Sequence, residues 1–100
     1  MFYVYILFSE SFDKYYVGHS NDYLRRLNEH NSNIRMTFTH KYKPWKLKAF
    51  FKVNENRGDA MKIEKYIKRQ KSRKVIIRLI NDPEYFNEIA QLVGVPICRD

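Results

Sequence analysis

Residues 2–18, FYVYILFSESFDKYYVG, decide the fold of this chain. The first run, FYVYILF (2–8), is β-branched and aromatic, and such residues favour strands. The polar stretch SESFD (9–13) separates it from KYYVG (14–18), which is a second short strand-like run. Two such runs joined by a short polar segment predict a β-hairpin whose loop is longer than the tightest type.

The segment after the hairpin predicts a helix and then a third strand. DYLRRLNEHN (22–31) is helical, with Asn21 or Asp22 as its N-cap. Residues 31–44 are polar and basic, which suits an exposed loop. WKLKAFFKV (45–53) alternates in polarity, as a half-buried antiparallel strand does. The alternation places the following side chains on the inner face: Trp45, Leu47, Ala49, Phe51 and Val53. It places these on the outer face: Lys46, Lys48, Phe50 and Lys52.

The rest of the chain predicts helices. Asp59 caps AMKIEKYIKRQK (60–71), and SRKVIIRLI (72–80) is a further helical segment. Asp82 caps a last helix that closes at Gly94. The predicted class is therefore α+β, with a small three-stranded antiparallel sheet flanked by helices, in the order β-β-α-β-α-α plus a C-terminal helix. Residues 1–80 form one domain, and residues 81–100 form a helical extension packed on it.

The charge distribution points to a polyanionic partner. Lysine and arginine total 19 against 11 acidic residues, for a net charge of +8. Residues 1–80 hold 18 basic and 7 acidic side chains, whereas residues 81–100 hold one basic and four acidic. The simplest partner of such a surface is nucleic acid. No run approaches the ~20 apolar residues of a membrane span, and the lone Cys98 favours a reducing cytoplasm.

Three polar side chains fall on helix faces that should turn inward. Arg26 and His30 share the face of the first helix that carries Tyr23, and Glu64 lies on the apolar stripe of the helix over 60–71. Burying an unpaired carboxylate costs several kcal/mol, so Glu64 needs Arg26, a lysine or a metal ion. Simpler explanations are also open. Arg26 extends past the core edge, His30 favours its helix C-terminus, and Glu64 pairs with Lys68 at i+4.

These residues together resemble a known family. YVY (3–5) and YVG (16–18) look like the paired signature of the GIY-YIG nucleases. RLNEH (26–30) matches the arginine and histidine of the family, and AMKIEKYIKRQKSRK (60–74) matches its helical glutamate. The resemblance covers roughly residues 2–80 and is strongest to the short stand-alone members. It implies a GIY-YIG-like nuclease domain.

The resemblance also implies roles for the individual residues. Tyr5 is the general base, whose free pKa of about 10 must be lowered by nearby positive charge. Tyr16 orients water or phosphate, Arg26 clamps the scissile phosphate, and His30 supports Tyr5 or binds phosphate. Glu64 holds one divalent ion, Mg²⁺ or else Mn²⁺.

Two further expectations concern the turn and the basic surface. Gly18 is expected to end the second strand and to let the chain turn sharply towards the helix. The candidate nucleic-acid contacts are His19, Lys41, Lys43, Lys46, Lys48, Lys68, Lys71, Arg73 and Lys74. An alternative interpretation is that His19 is simply exposed on the surface.

The leading hypothesis is a metal-dependent DNA endonuclease. A chain of this length leaves no room for a separate sequence-reading domain, so specificity is expected from DNA shape or from a protein partner. One site cuts one strand, so cutting both strands requires a homodimer or two encounters. A non-catalytic nucleic-acid-binding module is the alternative. A third hypothesis is an interaction domain that uses the acidic helix over 83–93.

Overall fold

The computed structural model describes residues 1–32 and 39–98. Residues 33–38 of the predicted loop lie outside this part. The elements are β1 (Tyr3–Ser9), β2 (Lys14–Ser20), α1 (Tyr23–Asn31), a 3₁₀ turn (Thr39–Tyr42), β3 (Lys46–Lys52), α2 (Arg57–Arg69), α3 (Arg73–Asn81) and α4 (Glu84–Leu92). The predicted α+β class and the order of elements are confirmed. Among the described residues, no helix has the length and apolar character needed to cross a membrane.

The three strands form one antiparallel sheet in the order β2-β1-β3. The central strand β1 pairs with β2 across the hairpin, with Tyr5 opposite Gly18. On its other side β1 pairs with β3, with Tyr5 opposite Phe50. Tyr5 therefore lies in the middle of the sheet.

Both faces of the sheet are covered. On one face, Val4 and Ile6 pack against α2, α3 and α4 in the main core, where Ile63, Leu79 and Ile89 are all buried. On the other face, Tyr5, Leu7 and Trp45 form a second cluster, against which Tyr23 and Leu27 of α1 pack. Because successive strand residues point to opposite faces, the tyrosines of β1 lie on the side of α1.

The single-face prediction for the third strand was wrong. Ile6 pairs with Ala49, but Leu7 pairs with Leu47, so Lys48 is an extra residue at a β-bulge. A bulge reverses the alternation from that point. Leu47 and the preceding Trp45 consequently pack in the cluster around Tyr5, whereas Phe51 and Val53 lie in the main core.

Phe50 was predicted to lie on an outer basic face, and it too takes part in packing. Its ring stacks on Tyr23 with centroids 4.4 Å apart and contacts Tyr3 edge-on. The side chain nevertheless keeps half of its surface exposed, at 50%. The face that was predicted as solvated is therefore the α1 side of the sheet.

The helix caps differ in part from the prediction. Asp22 caps α1 and accepts a hydrogen bond from the Arg25 amide, as one of the two proposed residues. Asn56, not Asp59, caps α2, and it accepts from the amide of Asp59. The N-cap residue of α4 is Pro83, not Asp82, and it makes no side-chain hydrogen bond to the helix.

The last helix packs on the same core as the strands. The ring of Phe86 stacks on Phe51, with centroids 4.5 Å apart and planes within 6°. Ile89 and Ala90 are buried in the same cluster as Val4. The apolar stripe of α4 is thus covered by the protein's own sheet.

Candidate active site

Gly18 makes room for Tyr5. A Cβ built on Gly18 would lie 2.5 Å from the Tyr5 hydroxyl oxygen, 2.6 Å from Cζ and 3.0 Å from Cε2 of Tyr16. The phenol ring therefore passes directly over the backbone of β2, and only glycine leaves that space open. The prediction that Gly18 ends the strand in a sharp turn was wrong, because β2 continues through Ser20.

A buried chain of hydrogen bonds starts at the Tyr5 hydroxyl. It lies 3.1 Å from Nε2 of His30, and Nδ1 of His30 lies 2.6 Å from Oγ1 of Thr39. All three residues are buried, with at most 3% of their surface exposed. His30 thus contacts Tyr5 from the interior of the protein.

No pattern in the sequence pointed to Thr39, which lies nine residues from its partner His30 in a stretch that was predicted as an exposed loop. Its backbone carbonyl accepts a hydrogen bond from Trp45 Nε1 at 2.8 Å. Trp45 is held in turn by Asn31, whose Nδ2 donates to the Trp45 carbonyl at 2.8 Å. These contacts fix the 3₁₀ turn against α1 and place the threonine hydroxyl on His30.

Burial sets the protonation of this chain. It raises the pKa of Tyr5 to about 12, although the nearby Arg26 guanidinium acts in the opposite direction. Burial and the charge of Arg26 together lower the pKa of His30 to about 4. The expectation that positive charge lowers the Tyr5 pKa was wrong for the protein alone, because desolvation of the phenolate is the larger effect. At neutral pH the pair is a phenol and a neutral imidazole.

Arg26 lies at the rim of the same cluster. Its guanidinium lies close enough to the Tyr5 hydroxyl to oppose the effect of burial on the pKa of that phenol. Nη1 also donates to Oε1 of Glu29 at 2.6 Å, and 29% of the Arg26 side chain is exposed. Glu29 therefore orients an arginine that an incoming anion can still reach, and its i+3 spacing from Arg26 was a signal that sequence reasoning missed.

Tyr16 covers the histidine from the neighbouring strand. Its ring centroid is 4.9 Å from that of His30 and 6.3 Å from that of Tyr5. The ammonium of Lys68 lies over the Tyr16 ring at 5.2 Å, a distance suited to a cation–π contact. Tyr16 thus joins the buried pair to the basic surface of α2.

Glu64 has two cationic or polar partners within the protein. Oε2 accepts from Nζ of Lys68 at 2.7 Å, and Oε1 lies 2.6 Å from Nδ1 of His19. Pairing with Lys68, one of the alternatives that the sequence left open, is confirmed. The carboxylate is close enough to Tyr5 for its charge to raise the tyrosine pKa. Glu64 therefore belongs to the same site, although it approaches from α2.

The potential metal ligands at this site are suited to no more than a weakly bound divalent ion. Within residues 1–32 and 39–98, no group of three His, Cys, Asp or Glu side chains is arranged to hold a metal. Glu64 offers one carboxylate, of which 17% is exposed. Mg²⁺ is commonly held by one or two carboxylates while water and substrate phosphate complete its shell. The residues fit such an ion, with Glu64 as the protein ligand.

The predicted nucleic-acid contacts fall into two groups. Lys68, Lys71 and Arg73 line a cleft at the outer edge of β2, together with Lys14. Lys46 and Lys48 lie on the opposite edge strand, β3, where Lys46 pairs with Glu10. The remaining ones are dispersed: Lys41 lies over Tyr42, Lys43 donates to the Ser32 carbonyl, Lys74 is exposed on α3, and His19 contacts Glu64.

The family model described as the GIY-YIG catalytic domain matches residues 1–76. The chain therefore belongs to the GIY-YIG family, and this domain indicates a nuclease-type function in general terms. No curated protein and no solved structure gives a match.

Proposed function

We propose that the protein is a metal-dependent endonuclease that hydrolyses phosphodiester bonds of DNA. One observation carries the proposal: the Tyr5 hydroxyl contacts Nε2 of His30 and also lies next to the charges of Arg26 and Glu64. A phosphodiester-cleaving site needs a proton acceptor, a cation for the phosphate and an oxygen ligand for a hard metal ion. These side chains supply all three within one cluster.

Arg26 binds the scissile phosphate in this proposal. Its guanidinium is already oriented by Glu29 and partly exposed, so a phosphate oxygen can replace solvent on its free side. A planar guanidinium forms paired hydrogen bonds with phosphate and stabilises the charge that develops during attack. The same cation opposes the burial effect on Tyr5, which links phosphate binding to the acidity of the phenol.

Tyr5 takes the proton of the attacking water once its own hydroxyl proton has passed to Nε2 of His30, the group to which the phenol is hydrogen-bonded. Transfer from Tyr5 to His30 is unfavourable in the protein alone, because the phenol pKa is about 12 and the imidazole pKa is about 4. Glu64 would hold the divalent ion, whose positive charge would favour the phenolate and stabilise the leaving oxygen. His30 keeps the Tyr5 oxygen oriented through the buried hydrogen bond.

Substrate selection belongs to the same proposal. Recognition of branched or flapped DNA by shape, or delivery by a protein partner, explains how a domain of this size finds its site. Cutting of both strands would require a homodimer or two encounters. The basic excess of residues 1–80 supports nucleic acid as the partner.

The test is cleavage of end-labelled linear, flapped and branched DNA with Mg²⁺, with Mn²⁺ and with EDTA. Glu64→Gln removes the ligand charge while keeping the shape, and Glu88→Gln is the control because Glu88 is exposed on α4. We expect metal-dependent cutting that only the Glu64 variant loses. Cutting that persists in EDTA, or equally in Glu64→Gln, would refute the metal role.

A second candidate function is a binding module without cleavage. The observation that favours it is the complete pairing of Glu64, whose two oxygens contact Lys68 and His19. An ion must displace at least one of these contacts. Tight binding with no cutting on any of the three substrates would support this candidate instead.

A further inference from the structure

A cleft of about 620 Å³ runs along the outer edge of β2, directly beside the candidate active site. One wall is the start of β2, over residues 13–17, and the other is the junction of α2 and α3, over residues 67–76. Because β2 is an edge strand, no strand of the described residues occupies its outer side. The volume lies in the range of pockets that hold small organic ligands, about 300–1,000 Å³.

The lining combines cations with an apolar floor. Its basic side chains are Lys14, Lys68, Lys71 and Arg73, and Asp13 is the carboxylate among the lining residues. Tyr15, Tyr16 and Ile76, which are all half-buried, contribute apolar surface between them. A ligand that fits this lining carries several negative charges and also has flat apolar groups. A nucleotide strand has both, as phosphates on one side and base faces on the other.

Two residues connect the cleft to the catalytic cluster. Tyr16 lines the cleft, and its ring centroid lies 4.9 Å from that of His30. Lys68 also lines it, and its ammonium contacts Glu64 at 2.7 Å. A strand whose scissile phosphate lies at Arg26 would therefore have its neighbouring nucleotides at the mouth of this cleft.

The cations of the cleft differ in how far they are neutralised. Arg73 donates to Asp13 at 2.8 Å, and Lys68 pairs with Glu64. Lys71 is exposed, and its ammonium has no carboxylate partner among residues 1–32 and 39–98. Its backbone is left-handed, with φ of 48°, just after the end of α2. Lys71 therefore offers its charge to a ligand without breaking a contact.

We propose that this cleft binds an unpaired strand of nucleic acid next to the scissile phosphate. The inference rests on the proposed function and adds the substrate class, a duplex that carries a single-stranded segment beside the cut. The concave shape and the apolar floor favour this occupant. In a duplex the bases are stacked in the interior, so its backbone would contact only the basic residues at the rim of the cleft. A single strand presents both base faces and phosphates to the cleft.

The experiment measures binding in EDTA, so that cleavage does not interfere. Fluorescence anisotropy gives the affinity for a labelled duplex with a single-stranded tail and for the same duplex with blunt ends, each at several salt concentrations. Lys71→Asn removes the charge, and asparagine tolerates the left-handed backbone. Lys14→Gln is a second variant on the opposite wall. Lys65→Gln is the matched control, because Lys65 is an exposed lysine of α2 outside the cleft.

For the tailed duplex we expect Lys71→Asn to weaken binding several-fold and to lower the slope of log K against log salt by about 0.7, the value for one phosphate contact on a single strand. Lys14→Gln should act in the same direction. For the blunt duplex, both variants should differ no more from wild type than Lys65→Gln does. Thermal unfolding checks that each variant is folded.

Two results would overturn the inference. One is an equal loss of affinity of the cleft variants for the tailed and blunt duplexes, which would show that the cations of the cleft bind the backbone of the duplex. The other is an unchanged slope in both cleft variants. Failure of the nuclease proposal is distinguishable, because a protein that cuts nothing but loses tail binding in Lys71→Asn still has a strand-binding cleft. A protein that cuts but shows no Lys71 effect refutes only the cleft.

Discussion

The phenol ring of Tyr5 lies across Gly18 of the neighbouring strand, so close that a methyl group on the glycine would be 2.5 Å from the hydroxyl oxygen. The two residues pair directly in the sheet register. The second half of the family signature thus supplies the space that the tyrosine of the first half occupies.

Gly18→Ala is expected to lower the free energy of unfolding by roughly 1–3 kcal/mol, the usual cost of overpacking a buried site. Tyr5 is 1% exposed and its strand β1 is paired on both sides, so the ring does not move easily away from Gly18. Urea denaturation measures the change. Gly58→Ala is the control, since its added Cβ meets only the Asn56 side chain at 3.0 Å. Equal stability of the two variants would show that the ring does not cover Gly18.

The pH dependence of stability should report His30. Its pKa is about 4 in the folded protein and about 6.5 in an unfolded chain. The unfolded state therefore binds more protons between these values, and stability falls as the pH decreases through that window. The largest contribution is roughly 3 kcal/mol. Urea denaturation at pH 7 and at pH 4.5 measures the loss, and His30→Gln should show a smaller one. The same loss in both proteins would assign the acid sensitivity to other groups.

Thr39→Val should destabilise the protein by about 1–3 kcal/mol, because valine has the shape of threonine but leaves a buried imidazole nitrogen without its partner. Thr39→Ser keeps the hydroxyl and should be much closer to wild type. Nitrogen NMR chemical shifts of His30 give an independent measurement. With the Tyr5 hydroxyl donating to Nε2, the proton lies on Nδ1 and is donated to Thr39. A proton on Nε2 in the wild-type protein would contradict this assignment.

Arg26→Ala should reduce DNA cleavage by at least about 100-fold, the scale on which a donor to a developing charge acts. Arg25→Ala is a closely matched control. Arg25 is the preceding residue on α1 and also pairs with Glu29, but its side chain is 56% exposed. We expect it to change the rate by less than about threefold. Similar losses in the two variants would mean that Arg26 acts only through the general charge of the helix.

Much of the fold follows from patterns within single segments. The hairpin of β1 and β2 and the helices α1 and α2 each have their own periodicity and turn residues. The face of the sheet on which the β3 side chains lie could not be predicted this way, because the bulge at Lys48 arises from the pairing of β3 with β1. Strict alternation then assigns Trp45 and Leu47 to the wrong face. A pairing partner, not the strand's own sequence, decides where such a shift falls.

For the candidate site, only the residues that take part could be predicted, and that prediction came from the resemblance to the family. Spacing alone could not show that Thr39 reaches His30, since the contact depends on how the 3₁₀ turn folds back on α1. The direction of the Tyr5 pKa also depended on burial, which a strand sequence does not reveal when both faces are covered. The role of Gly18 likewise required the register, which sets which side chain crosses the glycine.

The most direct measurement for the central claim is DNA cleavage by Tyr5→Phe, with Tyr3→Phe as the control on the same strand. The Tyr5 substitution removes a single oxygen atom from a ring that stays packed over Gly18. We predict a loss of at least about 100-fold in the metal-dependent rate, as expected for a proton acceptor. DNA binding should stay close to wild type, and the variant should fold with a stability lower by about 1–3 kcal/mol, because Nε2 of His30 loses its buried partner. Tyr3→Phe should cut normally. Cleavage at the wild-type rate by Tyr5→Phe would contradict the account, because the buried hydroxyl and its contact with His30 would then have no part in the reaction.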